Sequence, residues 1–485
     1  MKRRTFLSTL GLGLGAGLCA ARSGAEPAQR PNILWLISED TSPDLGCYGH
    51  PLVQTPHLDA LAAQGTRYDA AFASCPVCSP ARSGMMTGMY QTSIGAHNHR
   101  SHRDDGYTLP EPVRVITNYF RDAGYFVTNG NGSQWDKPGK TDWNFTPDGE
   151  PFDGTDWRQR AEGQPFVAQL NFSMTHRDFQ RDPERPIDPA QVDLPPYYPD
   201  TPLLRRDWAD YLESLQVLDN QVGALLARLE EDGLAGNTIV LYHGDHGQPH
   251  VRGKQWLYES GIRVPMIVRK PDGAGAGTVS KDPVSLIDLA PTMMQWAGIT
   301  PPAHLQGQPF EGGTPREFAV CARDRCDETV DRIRCVRSKR FKYIRNFYPG
   351  RPYMQFNAYK KKQYPAVSVL EQWQAEGKLN EAQQPFMAAT RPEEELYDLK
   401  SDPHELRNLA TDIEYKQLLE RMRGQLDGWI AETGDLGAMP EPAEITEGWR
   451  KSARERLDKE LIERGLAVDA PPEAHVAWWE KKLLG

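Results

Sequence analysis

The stretch NILWLISED, residues 32–40, is a short, mostly apolar run, continuous rather than alternating, that ends abruptly on two acids. A strand with one wet face alternates apolar and polar residues, whereas a run apolar throughout is covered on both sides, as in a sheet sandwiched between helices. Three further runs share this texture: FVAQLNFS (166–173), TIVLYHG (238–244) and VPMIVR (264–269). Helical segments lie between them. In TPHLDALAAQGT (55–66), Thr55 caps, Pro56 suits the first turn, Leu58, Leu61 and Ala62 share a face, and Gly65 ends the helix. DWADYLESLQVLDNQVGALLARLEEDG (207–233) is a longer amphipathic helix. Strand alternating with helix predicts an α/β sandwich.

A chain of 485 residues buries a large core, enough for one big domain and a smaller one. Acids outnumber bases, 66 to 56, so the net charge of -10 argues against a general binder of nucleic acid or anionic membranes. An anionic ligand must be met by a local basic pocket. Residues 1–30 have a basic start, a short apolar run and small residues at Ser23 to Ala25, and are predicted to be a signal peptide. Arg3-Arg4 followed by Thr-Phe-Leu fits twin-arginine as well as ordinary secretion. Export places the mature protein in the periplasm or outside the cell, and no second apolar run is long enough to insert stably in a bilayer. Apart from Cys19, six cysteines remain (Cys47, Cys75, Cys78, Cys321, Cys326 and Cys335), too few for a disulfide scaffold in so long a chain.

After about residue 315 the texture changes to charged, alternating strands in FAVCARDR, RIRCVRS and FKYIRNF, followed by a helix near 413–433. The expected organisation is a signal peptide at 1–30, a catalytic domain at 31–315 and, at 316–485, a smaller subdomain with an antiparallel sheet and a helix. The Gly-Ala run at 273–277 lacks the Lys-Ser/Thr ending of a phosphate loop and reads as a turn.

In open α/β sheets, sites form at the carboxyl ends of strands. The first strand runs into Glu39 and Asp40, the strand at 238–244 into Asp245 and His246, and the one at 166–173 leads to His176. Three carboxylates and two imidazoles thus meet one sheet edge, a set that favours a hard cation such as Ca²⁺ or Mg²⁺. Taken singly, any of these acids serves equally well as a helix cap. SCPVCSPARSG (74–84) has two incompatible readings: Cys75 and Cys78 as a C-x-x-C dithiol or metal clip, or Cys78 alone within C-S-P-A-R. A zinc clip needs further Cys or His partners at regular spacing, and none is seen.

The second frame resembles the type I, formylglycine-dependent sulfatases of the alkaline-phosphatase superfamily. Their Cys-x-Pro-x-Arg pattern is met by Cys78, Pro80 and Arg82; PNILWLISEDTSPDLGCYG (31–49) resembles their opening metal segment, GDHG (244–247) the second, and RGKQWLYESGIRVPMIV (252–268) the lysine and strand that follow. The wider texture resembles bacterial heparan-N-sulfatase-like proteins. The resemblance implies an alkaline-phosphatase-like sandwich with a large mixed central sheet. It implies a sulfuric ester hydrolase acting on sulfated carbohydrate, matured by a formylglycine-generating enzyme that oxidises Cys78. A hydroxyl of the hydrated aldehyde would attack sulfur, and the second hydroxyl would then expel sulfate.

The same resemblance assigns the metal, Ca²⁺ with Mg²⁺ as the alternative, to Glu39, Asp40, Cys78, Asp245 and His246. Glu39 and His246 depart from the family's usual Asp and Asn. Arg82 would hold the diol in a helix starting just after Pro80. Lys140, in GKTDWNF, and Lys254 match lysines that contact sulfate, and His176 the histidine that protonates the leaving oxygen. The family's Gly-Lys-x-His segment has Asp142 in place of its histidine, leaving Asp142 or His97 to deprotonate the formylglycine hydroxyl. GAHNHRSHR (95–103) brings His97, His99 and Arg100 as substrate-binding candidates, alongside Asp142, with a solvated loop as the alternative. Trp135, Trp143 and Trp157 are candidates for stacking on sugar rings or for core packing. Two alternatives stand beside the sulfatase: a phosphodiester or phosphonate monoester hydrolase with the same site, and a non-catalytic carbohydrate-binding protein.

Overall fold

The computed structural model describes residues 30–485, so Cys19 and all but the last residue of the expected signal peptide lie outside the described residues. A seven-stranded mixed sheet is built from β1 (Asn32–Ser38), β2 (Thr66–Tyr68), β3 (Phe126–Asn131), β4 (Phe166–Phe172), β5 (Thr238–Gly244), β6 (Met266–Arg269) and β7 (Thr278–Ser280), in the order β3-β4-β1-β5-β6-β2-β7. The four strands β3, β4, β1 and β5 run parallel, and β6 is antiparallel to β5. Every residue of β1, β4 and β5 is buried. Alternate residues of β1 feed two different cores, Leu34 and Leu36 on one face and Ile33, Trp35 and Ile37 on the other.

The first core is roofed by the helix Pro202–Glu231, through Tyr211, Leu215, Leu218, Val222 and Leu225. The second is roofed by Met85 and Met86 of the helix Cys78–Thr87, Phe120 of Ile116–Asp122, and Met293 of Leu289–Trp296. The 207–233 segment thus begins five residues early, because Thr201 accepts a hydrogen bond from the Leu204 amide (3.2 Å) and Pro202 takes the first turn. The strand expected at 264–269 is split. Pro265 has no amide to give, so Arg263–Val264 joins a small three-stranded sheet and Met266–Arg269 the large one.

The second sheet is antiparallel throughout: β8 (Phe318–Arg323), β9 (Ile333–Ser338), β10 (Phe341–Asn346) and β11 (Glu394–Asp398) follow in that order. The helix Lys416–Thr433 covers it and ends on Gly434, whose φ of 63° suits a residue without Cβ. Two helices not foreseen from the sequence, Ala443–Glu463 and Pro472–Leu483, close the chain. Among the described residues, no helix is long and apolar enough to cross a membrane.

The arginine-rich run is held by buried ion pairs. Arg334 is fully buried and bonds Asp435 (2.7 and 2.8 Å) and Asp324 (3.0 Å), fastening β9 to the end of the helix Lys416–Thr433. Removing one partner of such a cluster strands the others without solvent, at a cost of about 3–5 kcal/mol. Arg334→Ala should therefore lower the thermal midpoint by several degrees, read by differential scanning fluorimetry, and adding Asp435→Asn should recover part of the loss. Burial alone would raise the Asp435 carboxyl, but Arg334 and Arg332 hold it down at about 2. Its contribution is therefore present above the ordinary carboxylate range and is lost only as pH falls toward about 2.

Candidate active site

Strand register brings the acids together. Ser38 on β1 is level with Phe172 on β4 and Gly244 on β5, so Glu39 and Asp245 leave the sheet side by side. The Glu39 amide donates to the Phe172 carbonyl (2.9 Å) and the Asp245 amide to that of Ser38 (2.9 Å). Cys78 opens its helix three residues earlier than expected, at the first turn rather than after Pro80, with Val77 extended before it. The helix's positive end therefore lies at Cys78 itself.

Cys78 Sγ lies 3.2 Å from His246 Nε2 and 4.0 Å from Asp40 Oδ1. Burial raises the thiol's pKa, yet Lys140, Lys254 and His246 together hold it below its ordinary value. Ligand atoms of Asp40, Cys78 and His246 all lie within 4.8 Å of one another, and Asp245 Oδ1 stands 3.7 Å from His246 Nε2. Burial alone would push His246 down, but Asp245, Cys78 and Asp40 hold it up at about 9. A knot of negative charge that traps a proton on a fully buried imidazole is one that a divalent cation would neutralise, so this donor set fits a metal.

Glu39 does not join it. Its carboxylate takes the Lys140 ammonium at 2.8 Å in this structure. Asp40 is bound by Lys254 at 2.8 and 2.9 Å. Arg82 is buried; its Nε donates to Asp245 (3.1 Å) and its Nη1 to Asn171 Oδ1 (2.7 Å). His176 Nδ1 donates to the Arg177 carbonyl (2.7 Å), which leaves Nε2 as the working nitrogen; burial and Lys254 lower its pKa.

A cavity of about 170 Å³ stands over Cys78, His176 and Lys254, with His99, Arg100 and Tyr359 among its walls. His99 is fixed by Asp327 (3.1 Å), and its Nε2 makes no hydrogen bond. His97, Asp142 and Lys140, all expected to touch substrate or the diol, are absent from the wall, Lys140 being held on Glu39. His97 is buried among Asp324, Arg334, Asp435 and Glu441 instead. Asp142 is turned onto Arg103 and Lys140; burial raises its pKa, but Lys140, His99, Arg100 and Arg103 hold it down at about 2. Trp143 and Trp157 are core residues, and Trp135 lies under Arg228.

Asp327, Glu328, Gln255 and Tyr359 also line the cavity and were not singled out in the sequence. Asn171 had a signal, an amide that with Gln169 interrupts a mostly apolar strand. A second signal is backbone strain: Asp40, Arg100, Asp142, Gln255 and Asp327 hold positive φ of 49°, 58°, 52°, 77° and 50°. Each costs about 1–3 kcal/mol, a cost concentrated where side chains must be aimed.

The sulfatase family model matches residues 31–299, and that of the N-sulphoglucosamine sulphohydrolase C-terminal region matches 244–369. An ulvan-active sulfatase of Formosa agariphila is 36% identical over 477 residues, covering 87% of this chain and 78% of its own. Human N-sulphoglucosamine sulphohydrolase is 28% identical over 480 residues, covering 86% and 92%. Among solved structures, one in complex with its substrate D-glucosamine-2-N,6-O-disulfate superposes with a TM-score of 0.62 at 18% identity, over 84% of this chain and 98% of that one. A 2-O glycosaminoglycan sulfatase gives 0.59 at 20%, over 92% and 96%. These two share the fold.

Proposed function

The chain belongs to the sulfatase family and is a sulfatase, and from that premise we propose that it is exported and removes sulfate from an anionic saccharide, with Cys78 oxidised to formylglycine as its nucleophile and Ca²⁺ as its metal. The observation that carries this reading is the convergence of Cys78, Asp40 and His246 within 4.8 Å at the head of a helix, under an open cavity. The names of the relatives, one ulvan-active and one acting on N-sulphoglucosamine, support a carbohydrate sulfate as substrate.

When present, the modified side chain supplies a hydrated aldehyde whose hydroxyl attacks sulfur, and the cation supplies Lewis acidity at that oxygen. Cys78 Sγ stands in for that hydroxyl. Asp40, Asp245 and His246 would hold the cation. Arg82 holds Asp245 in place, and Lys254 and Lys140 offer ammonium groups to the sulfate oxygens once they release Asp40 and Glu39. His176 holds a proton at Nε2 for the leaving oxygen, with its ring fixed by the Arg177 carbonyl. Oxygen-rich ligation favours Ca²⁺ or Mg²⁺ over softer metals.

Two measurements test this. Sulfate release from an aryl sulfate should exceed hydrolysis of the matching aryl phosphodiester by orders of magnitude; the reverse order would reassign the enzyme. Dialysis against EDTA should abolish turnover and lower the thermal midpoint. Re-addition of Ca²⁺ should restore the midpoint in proportion to the logarithm of its concentration. A midpoint indifferent to every divalent cation would sink the assignment of Asp40, Asp245 and His246.

A further inference from the structure

The loop 95–103 carries five cationic or imidazole side chains, but most are spent on neighbours. His102 bonds Asp105 (2.7 Å) and stacks on Tyr107, and Arg103 is paired with Asp142. Arg100 alone reaches the cavity with its guanidinium outside any ion pair among the described residues. Its backbone is pinned: φ is 58°, and its amide donates to Ser79 Oγ (2.9 Å), one residue from Cys78.

A second arginine arrives from far along the chain. Arg456 lies on the helix Ala443–Glu463, whose buried stripe of Ala453, Leu457 and Leu461 packs on Ala358 of the helix Ala358–Gln363. That shorter helix carries Tyr359 and Lys362 in the cavity wall. Register between the two helices is locked, since Glu460 bonds Lys362 (2.9 Å) and Arg464 donates to the Lys362 carbonyl (2.7 Å). Arg456 stands one turn before Glu460 on the same face, and so over the cavity.

The nearby acids are engaged: Glu460 with Lys362 and Arg464, Asp327 with His99, Glu328 with the Ala358 amide, and Asp142, whose charge also reaches Arg100, with Arg103 and Lys140. Both arginines are exposed, whereas Cys78 and Lys254 beneath them are buried. The cavity thus has a floor built around one anion and a mouth with two unspent guanidinium groups, the side chain best shaped to grip a planar or tetrahedral oxyanion. Arg456 also falls outside both family matches, which end at residues 299 and 369.

We propose that Arg100 and Arg456 clamp a second anionic group of the substrate, a carboxylate or a further sulfate, while the scissile sulfate occupies the floor. The enzyme therefore selects saccharides bearing two negative charges. This rests on the sulfatase reading of the floor, and the test separates the two.

Sulfate release is measured on saccharide sulfates matched except at one position: neutral, carboxylate, or second sulfate. For the parent enzyme, kcat/KM is higher with either or both dianionic substrates than with the neutral one. The ratio of dianionic to neutral kcat/KM falls about tenfold in Arg456→Ala and in Arg100→Ala, as expected for losing a hydrogen bond to a charged group. Arg456→Lys restores part of it, since charge returns without the planar fork. Because each ratio is taken within one preparation, partial misfolding cancels. A fall in the carboxylate arm alone identifies a uronate-type partner, and one in the sulfate arm alone a disulfated sugar. Ratios that stay put in both arms overturn the clamp. No sulfate released by the parent from any ester, aryl sulfate included, overturns the sulfatase reading instead.

Discussion

Cys78→Ala should reduce turnover of every sulfate ester by ~10⁴-fold or more, because a covalent route loses its attacking atom and only binding and electrostatics remain. The variant should still fold. Cys78 sits in the first turn of a wholly buried helix that is held by Met85 and Met86 packing against the second core and by Arg82 on Asp245, and none of these depends on sulfur. Cys75→Ala supplies the contrast. Cys75 packs with Val77, Ala81 and Cys326, and burial first, then Cys326 and Asp324, push its pKa far above the ordinary thiol value. A thiol in that state neither attacks nor ligates. Cys75→Ala should therefore keep most of the activity, whereas a working C-x-x-C dithiol would lose it with either residue. Intact-mass analysis of the peptide around residue 78 adds a readout independent of rate: the matured enzyme should carry an aldehyde in place of the thiol at Cys78 and an unaltered Cys75. Full activity in Cys78→Ala would end this account.

The sheet could be read from the chain because β1, β4 and β5 are mostly apolar without alternation, the texture of a strand with two covers, and every position in them is buried. Their polar ends then gave Asp40, Asp245, His246 and the approach to His176, since the residue after a buried strand must emerge at the sheet edge. Side-chain direction was harder. Glu39 follows β1 as directly as Asp40 does, yet Lys140, arriving from beyond β3, draws it away, and no local pattern announces that pairing. His97 and His99 differ by two positions; one faces the second sheet's ion pairs and the other the cavity, an outcome set by where Arg325 receives the loop. Arg456 was invisible for another reason. Its helix is so charged that the stripe Ala453, Leu457, Leu461 does not stand out, although its spacing of four is helical. Walls built by packing between distant segments leave little trace in any one of them.

His176→Ala should slow desulfation of saccharides by about 10²–10⁴-fold, the usual worth of a positioned proton donor, and should slow an aryl sulfate far less. The difference follows from the leaving group. A sugar hydroxyl leaves as a strongly basic alkoxide unless a proton arrives as the bond to sulfur breaks, whereas a nitrophenolate leaves without help. The geometry suits this role, because the Arg177 carbonyl fixes the ring through Nδ1 (2.7 Å), leaving Nε2 as the working nitrogen, and His176 lines the cavity together with Lys254. Burial and Lys254 hold the imidazole's pKa below its ordinary value, so in the free enzyme the proton is lost at lower pH than for an exposed histidine. An acid must keep its proton to give it, so kcat/KM for a saccharide should fall as pH rises through this depressed value. The ester's own negative charge, set against Lys254, should raise that pKa on binding and carry the kcat profile to higher pH. In His176→Ala this alkaline fall should disappear from the saccharide profile, while the aryl sulfate profile changes little. An equal loss for both leaving groups, with the pH profile intact, would make His176 a structural histidine and pass proton delivery to another group on the cavity wall.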